Sequence, residues 1–172
     1  AFNSGYWNEA AGFASKFLTD FNAEMPIVSP SGSCSGFIIH HYHKILKDQP
    51  QLLEKHQSVK GKIFELSDFL VNVLKVENLG TKFPHKVTFH DSCSALREYG
   101  IKDEPRQLLQ NIEGLELVEM EESDTCCGFG GTFAVKNTSI SAAMAEKKVQ
   151  NALATGVEYI VSTEASCLMN IN

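Results

Sequence analysis

Apolar residues recur every three or four positions in several stretches of the chain, and this spacing predicts amphipathic helices. The run at residues 8–21 shows the pattern clearly, with Ala14, Phe17 and Leu18 on one face. Helices are predicted at residues 8–21, 34–46, 65–74, 104–112 and 138–154, with a weaker helix or loop at 48–59 and another helix starting at Cys167. Turn residues 31–33 offer a cap for the second helix, and Gly156 ends the helix at 138–154.

Short, mostly apolar runs separate these helices and predict strands at residues 26–29, 86–90, 115–120 and 159–162. Strands that alternate with helices at this spacing are typical of a parallel sheet covered by helices. The predicted fold is therefore α/β, built from short parallel strands.

An internal repeat divides the chain into two similar βα units. Residues 27–34 align without a gap with residues 160–167, so that Cys34 matches Cys167. A helix of similar length precedes each copy. We predict a first repeat at residues 1–79 and a second at 80–172, with residues 80–84 as a linker. We also expect the chain to be a piece of a longer protein, with the first repeat truncated at its start and the second at its end.

Composition narrows the class of protein. The chain has 172 residues, about one ordinary domain, and a formal net charge of −6. This charge argues against nucleic acid and anionic membrane surfaces as partners, since both select basic patches. The apolar runs are too short for a membrane span. Five unevenly spaced cysteines do not form a disulfide framework, which favours a reducing, cytoplasmic setting.

The segment Cys126-Cys127-Gly128-Phe129-Gly130-Gly131 is the strongest chemical signal. Adjacent cysteines are too close for an unstrained disulfide, but both can bind one metal or cluster. Cys93 and Cys167 each follow a predicted strand, and the C-terminal ends of parallel strands meet at one edge of a sheet. Four converging thiolates predict a site for an iron–sulfur cluster or for zinc.

These cysteines and their spacing resemble the cysteine-rich CCG domain of iron–sulfur oxidoreductases, a group to which heterodisulfide reductases and the iron–sulfur protein of glycolate oxidase belong. Within that group, the chain resembles the lactate utilisation protein A family. The resemblance rests on residues 2–6, 29–34, 126–133 and 167–171, which span nearly the whole chain in the right order.

The resemblance implies an iron–sulfur electron-transfer subunit, with a cluster of the 4Fe-4S type, in a multi-protein complex that oxidises L-lactate together with partner redox subunits. It implies that Cys93, Cys126, Cys127 and Cys167 hold the second cluster, and that Cys34 belongs to the first. The family pattern ends in C-x-x-C, whereas this chain has Asn170 at the last position. Without its upstream thiols the first site cannot assemble, and we expect air-purified protein to be apo.

Other interpretations stand beside this one. The four thiolates would also form a structural zinc site, and thiol–disulfide chemistry is a third hypothesis, disfavoured by the lack of an internal C-x-x-C. Cys34 alone would be interpreted as an inert thiol. His90 is expected to be a strand-end histidine with satisfied hydrogen bonds, with a supporting role beside the ligands as the alternative. The acidic run at residues 119–124 is interpreted as a solvated face or a docking surface.

Overall fold

The computed structural model describes residues 1–21 and 24–172 and confirms the α/β class. The helices are α1 (Trp7–Asp20), α2 (Gly32–Ile45), α3 (Pro50–Lys60), α4 (Leu66–Asp68), α5 (Asp103–Gln110), α6 (Thr132–Lys136), α7 (Thr138–Leu153) and α8 (Ala165–Ile171). The strands are β1 (Ile27–Ser29), β2 (Ile63–Glu65), β3 (Lys86–Phe89), β4 (Glu116–Leu117) and β5 (Tyr159–Val161).

The strands form two small parallel sheets. In the first, β1 pairs with β2, with Ile27 opposite Ile63. In the second, the order is β4-β3-β5, and Val87 lies opposite Leu117 on one side and Tyr159 on the other. Because β3 is central and its last three residues are buried, the residues that follow it enter the protein interior.

Apolar faces of the first three helices pack into one core. The buried residues of this core lie on α1, on α2 and its C-terminal cap, on α3 and on β2: Ala14, Leu18, Tyr42, Leu46, Val59 and Ile63. Helix α3 begins with Pro50 in its first turn, where proline is well tolerated because the first amide groups have no helical partner. The ambiguous segment at residues 48–59 is therefore a helix.

Helix α2 packs closely on a π-helical turn, Ala95–Tyr99, which follows β3. A Cβ atom on Gly32 would lie 2.5 Å from the Cβ of Ala95, so only glycine permits this approach. The contact brings the N-terminus of α2 beside the segment that carries Cys93.

Several observed elements differ from the predicted ones, including α8, which begins at Ala165 rather than at Cys167. The strand β2 and the short helix α6 were not predicted, and β4 is shorter than residues 115–120. The helix predicted at 65–74 begins one residue later, because Glu65 ends β2 and its carboxylate caps α4 by accepting from the amides of Ser67 and Asp68. Helix α4 then continues into a π-helical turn, Phe69–Val73. Among the described residues, no helix is long and apolar enough to cross a membrane.

Candidate metal centre

Four of the five cysteines line one cavity of about 430 Å³. Cys93 follows β3, Cys126 and Cys127 lie between β4 and α6, and Cys167 lies in the first turn of α8. The parallel arrangement of β4, β3 and β5 thus brings the segments that follow them to one edge of the sheet, as expected for ligands in open parallel sheets. Cys34 is exposed in the first turn of α2 and does not line this cavity.

The cysteines differ in depth. Cys127 and Cys167 are buried, whereas Cys93 and Cys126 are only half-buried. We call the first two the back wall of the cavity and the second two its mouth. All five cysteines of the chain are free thiols.

His90 lies against the two back-wall cysteines but does not itself line the cavity. One ring nitrogen and the sulfur atoms of Cys127 and Cys167 all lie within 4.8 Å of one another. The side chain is fully buried, and within the described part of the chain neither ring nitrogen lies at hydrogen-bond distance from a partner, although the ring is close enough to Cys127 to lower the pKa of that thiol. The expectation of a satisfied strand-end histidine was therefore wrong. The sequence could not show this, because the burial of His90 results from the central place of β3.

The two thiols at the back wall differ in pKa. Contact with the Cys167 thiol lowers the pKa of Cys127 to about 4 despite burial, and His90 contributes in the same direction. The same contact, together with burial, raises the pKa of Cys167. At the mouth, burial and the neighbouring Cys126 raise the pKa of Cys93. The thiolate form of Cys127 is thus favoured at the back wall. A cation bound in the cavity would favour the thiolate form of the other cysteines as well.

The double cysteine depends on close packing of the loop that carries it. Gly128 has a φ of +89°, and a Cβ atom there would lie 2.7 Å from the Ser141 carbonyl oxygen of α7. Its amide donates to Cys126 Sγ at 3.4 Å. Glycine at this position therefore permits both the backbone turn and the approach to α7.

The acidic segment before the double cysteine is anchored through its backbone. Lys148 of α7 is buried and donates from Nζ to the carbonyl oxygens of Glu122 and Ser123. Asn151, one turn later, donates to the Glu121 carbonyl at 2.9 Å. Although parts of the run are exposed, its main chain is tied to α7 and positions Cys126.

A buried ion pair fixes the same segment to the end of β3. Arg106 of α5 makes two hydrogen bonds of 2.8 Å with Asp91 and also binds Glu119, while its guanidinium lies 4.8 Å from the Phe89 ring centre. Ser123 donates to the Asp91 carboxylate at 2.9 Å. Burial raises the pKa of Asp91, but the bonds from Arg106 and Ser123 outweigh it and leave that pKa below its usual value.

The N-terminus of α8 is held by the N-terminal end of α2. The buried carboxylate of Glu164 accepts from the Ser31 hydroxyl at 2.9 Å, from the Ser33 hydroxyl at 2.9 Å and from the Ser33 amide at 2.6 Å. Cys167 follows three residues later, so these bonds fix the start of the helix that presents it. No motif in the sequence indicated this role for Glu164.

Comparison with known proteins identifies the family of the chain. The family described as a cysteine-rich domain (CCG) matches residues 87–172. A protein of Lysinibacillus sphaericus (strain C3-41) named lactate utilization protein A is 40% identical over 171 residues, which is 99% of this chain and 75% of that protein. Lactate utilization protein A 2 of Bacillus cereus (strain Q1) is 42% identical over 171 residues, 99% of this chain and 71% of its own length. The chain belongs to the lactate utilization protein A family.

In this member of the lactate utilization protein A family, Asn170 stands where the resemblance led us to expect a last cysteine. Its amide nitrogen donates to the Cys127 carbonyl at 2.9 Å and approaches Ser141 Oγ at 3.4 Å. Asn170 therefore supports the main chain of the double cysteine. The donor set fits a soft metal, because four thiols line the cavity and the buried imidazole of His90 lies within 4.8 Å of two of them.

Proposed function

We propose that the chain holds an iron–sulfur cluster of the 4Fe-4S type through Cys93, Cys126, Cys127 and Cys167. The observation that carries this proposal is the convergence of the four thiols on one cavity at the edge of a parallel sheet. Thiolates are the usual protein ligands of iron–sulfur clusters. Cys34 remains a proposed ligand of a first site, since it does not line this cavity.

When bound, the cluster would supply one-electron transfer at this site. The protein's own contribution is to hold four thiolates, to cover the back wall and to leave the mouth open. Burial of Cys127 and Cys167 and amides such as that of Gly128 near sulfur are features that adjust the potential of such a centre.

The proposed role is electron transfer in L-lactate oxidation in the cytoplasm. The relatives' name, lactate utilization protein A, supports the substrate, and the five free thiols support a reducing compartment. We propose that partner redox subunits of one complex perform the substrate chemistry and exchange electrons with this protein. L-Lactate alone should then leave the centre oxidised, and reduction should require the partner subunits. Reduction by L-lactate in their absence would contradict this division of labour.

A second candidate is a structural or assembly module that binds zinc. The specific observation in its favour is the tight His90, Cys127 and Cys167 group, whose donor atoms are close enough to surround a single ion. Metal identity separates the two candidates.

The test is anaerobic purification followed by iron, acid-labile sulfide and zinc analysis and a visible spectrum. We expect a brown protein with iron and sulfide. Cys126→Ser and Cys127→Ser should abolish the broad visible absorption, whereas Cys34→Ser, outside the cavity, is the matched control and should leave it unchanged. A colourless protein with stoichiometric zinc would replace the electron-transfer proposal with the zinc candidate. An unchanged spectrum in Cys126→Ser would refute the ligand set.

A further inference from the structure

His90 is an unusual residue for a protein interior. It directly follows the central strand β3, and its amide donates to the Val161 carbonyl of β5 at 2.8 Å, so its backbone belongs to the sheet. Its ring is fully buried, yet within the described residues neither nitrogen has a hydrogen-bond partner. A buried polar group without a hydrogen-bond partner destabilises the folded protein. A ligand that binds one ring nitrogen when the metal site is occupied would remove this destabilisation.

The surroundings of the ring identify the chemistry of that ligand. One ring nitrogen lies within 4.8 Å of the sulfur atoms of both Cys127 and Cys167, and these two sulfurs lie within the same distance of each other. Neutral imidazole and thiolate together bind zinc, and they also bind iron in clusters where histidine replaces cysteine. The three donors come from different segments: the residue after β3, the loop between β4 and α6, and the first turn of α8.

The other polar side chains near Cys127 and Cys167 already have hydrogen-bond partners. The amide nitrogen of Asn170 is engaged with the Cys127 carbonyl and not with the cavity. The Glu164 carboxylate is occupied by Ser31 and Ser33. Asp91, next in sequence to His90, is bound by Arg106 and Ser123.

We propose that His90 is a nitrogen ligand of the metal centre, bound at the back wall with Cys127 and Cys167, while Cys93 and Cys126 complete the donor set at the mouth. This inference rests on the proposed function, because it assigns a further ligand to the same centre. Coordination satisfies one ring nitrogen that folding leaves without a partner. The centre is thus of mixed nitrogen and sulfur ligation.

The test uses protein labelled with ¹⁵N only in histidine, purified anaerobically with its native metal, and in parallel metal-free protein loaded with Co²⁺. Pulsed electron paramagnetic resonance detects the strong coupling of a directly bonded nitrogen in a paramagnetic state. We expect that coupling in the wild-type protein and its loss in His90→Cys, which offers a thiol instead. His56→Gln is the matched control, since His56 is also buried with one unpartnered ring nitrogen but lies in α3. It should keep the coupling.

The outcomes separate the two proposals. An iron–sulfur cluster without histidine coupling in the wild-type protein would overturn the role of His90 and leave the proposed function intact. Histidine coupling in the Co²⁺ protein, with zinc and no iron in the native one, would support His90 and overturn the iron–sulfur proposal. A wild-type protein that binds neither metal would overturn both. Absence of the coupling in the wild-type protein overturns the role of His90 without any variant, and where the coupling is present, its loss in His90→Cys and its retention in His56→Gln assign it to His90.

Discussion

Ser31 and Glu164 occupy equivalent positions in the two copies of the internal repeat, and the Ser31 hydroxyl donates to the Glu164 carboxylate at 2.9 Å. Ser31 is the N-cap of α2, and Glu164 is the N-cap of α8. The two repeated segments therefore contact each other through residues at aligned positions. The two helix starts, one carrying Cys34 and the other Cys167, are joined directly.

Glu164→Ala should test the strength of this junction. The change removes the acceptor of three hydrogen bonds to a buried carboxylate, and we expect the free energy of unfolding to fall by about 3 kcal/mol. Glu164→Gln should lose less, because its amide oxygen still accepts from the Ser33 amide. Urea unfolding provides the measurement. Glu121→Ala, whose side chain is exposed, is the control and should change stability little; equal losses in the two alanine variants would contradict the junction.

The Asp91–Arg106 pair should make stability depend on pH in the acid range. A carboxyl group whose pKa is lower in the folded protein stabilises the fold above its unfolded pKa, about 4. This stabilisation is lost as the pH falls through the lower folded pKa. At pH 7, Asp91→Asn should lower the free energy of unfolding by about 3 kcal/mol, since a buried partner is removed while Arg106 keeps Glu119.

The difference between wild type and Asp91→Asn should shrink as the pH is lowered below about 4. Denaturant unfolding at a series of pH values measures it. A difference that stays constant down to strongly acid pH would show that the carboxylate charge of Asp91 does not contribute.

Lys148→Met should loosen the loop before the double cysteine. The variant leaves the carbonyl oxygens of Glu122 and Ser123 without their buried donor, and we expect a loss of about 1–3 kcal/mol in stability. Metal occupancy should fall with it, since that loop positions Cys126. The neighbouring Lys147→Met, which removes an exposed ion pair of 3.9 Å with Glu122 but no buried donor, is the control. Metal analysis and thermal unfolding of both variants decide the point, and indistinguishable variants would refute it.

Gly128→Ala should disturb the site although it adds only one methyl group. The added methyl group meets the Ser141 carbonyl at 2.7 Å and Met144 at 3.0 Å, and the positive φ adds strain. Together we expect a cost of about 3 kcal/mol and reduced metal binding. Gly156→Ala is the comparison, because Gly156 has a φ of +69° but open space around it. Its cost should be about 1 kcal/mol, with normal metal binding.

Much of the framework could be predicted because long periodic segments signal their own structure. Helix α1, helix α7 and strand β3 lie close to their predicted bounds. Strand β2 could not be predicted from its three residues, because its last residue also caps the next helix. The π-helical turns depend on tertiary packing such as that between Gly32 and Ala95, which no local pattern encodes.

For the site, the cysteine spacing and the strand ends predicted which thiols converge. The sequence did not reveal the unpartnered state of His90 or the role of Glu164, since both depend on which segments become neighbours after folding. Asn170 was recognised only as a departure from a pattern, and its bond to the Cys127 carbonyl required coordinates. The ligand assignments themselves stay predictions until metal is measured.

The unequal depth of the four cysteines gives the cavity a direction. Alkylating reagents from solvent should react with Cys93 and Cys126 before Cys127 and Cys167, because the first two are half-buried and the last two are buried. The two half-buried thiols would also offer a redox partner its shortest contact with the proposed centre. A redox partner that docks over the mouth would therefore both receive the electron and shield the vulnerable thiols, so that protection and turnover share one face of the protein.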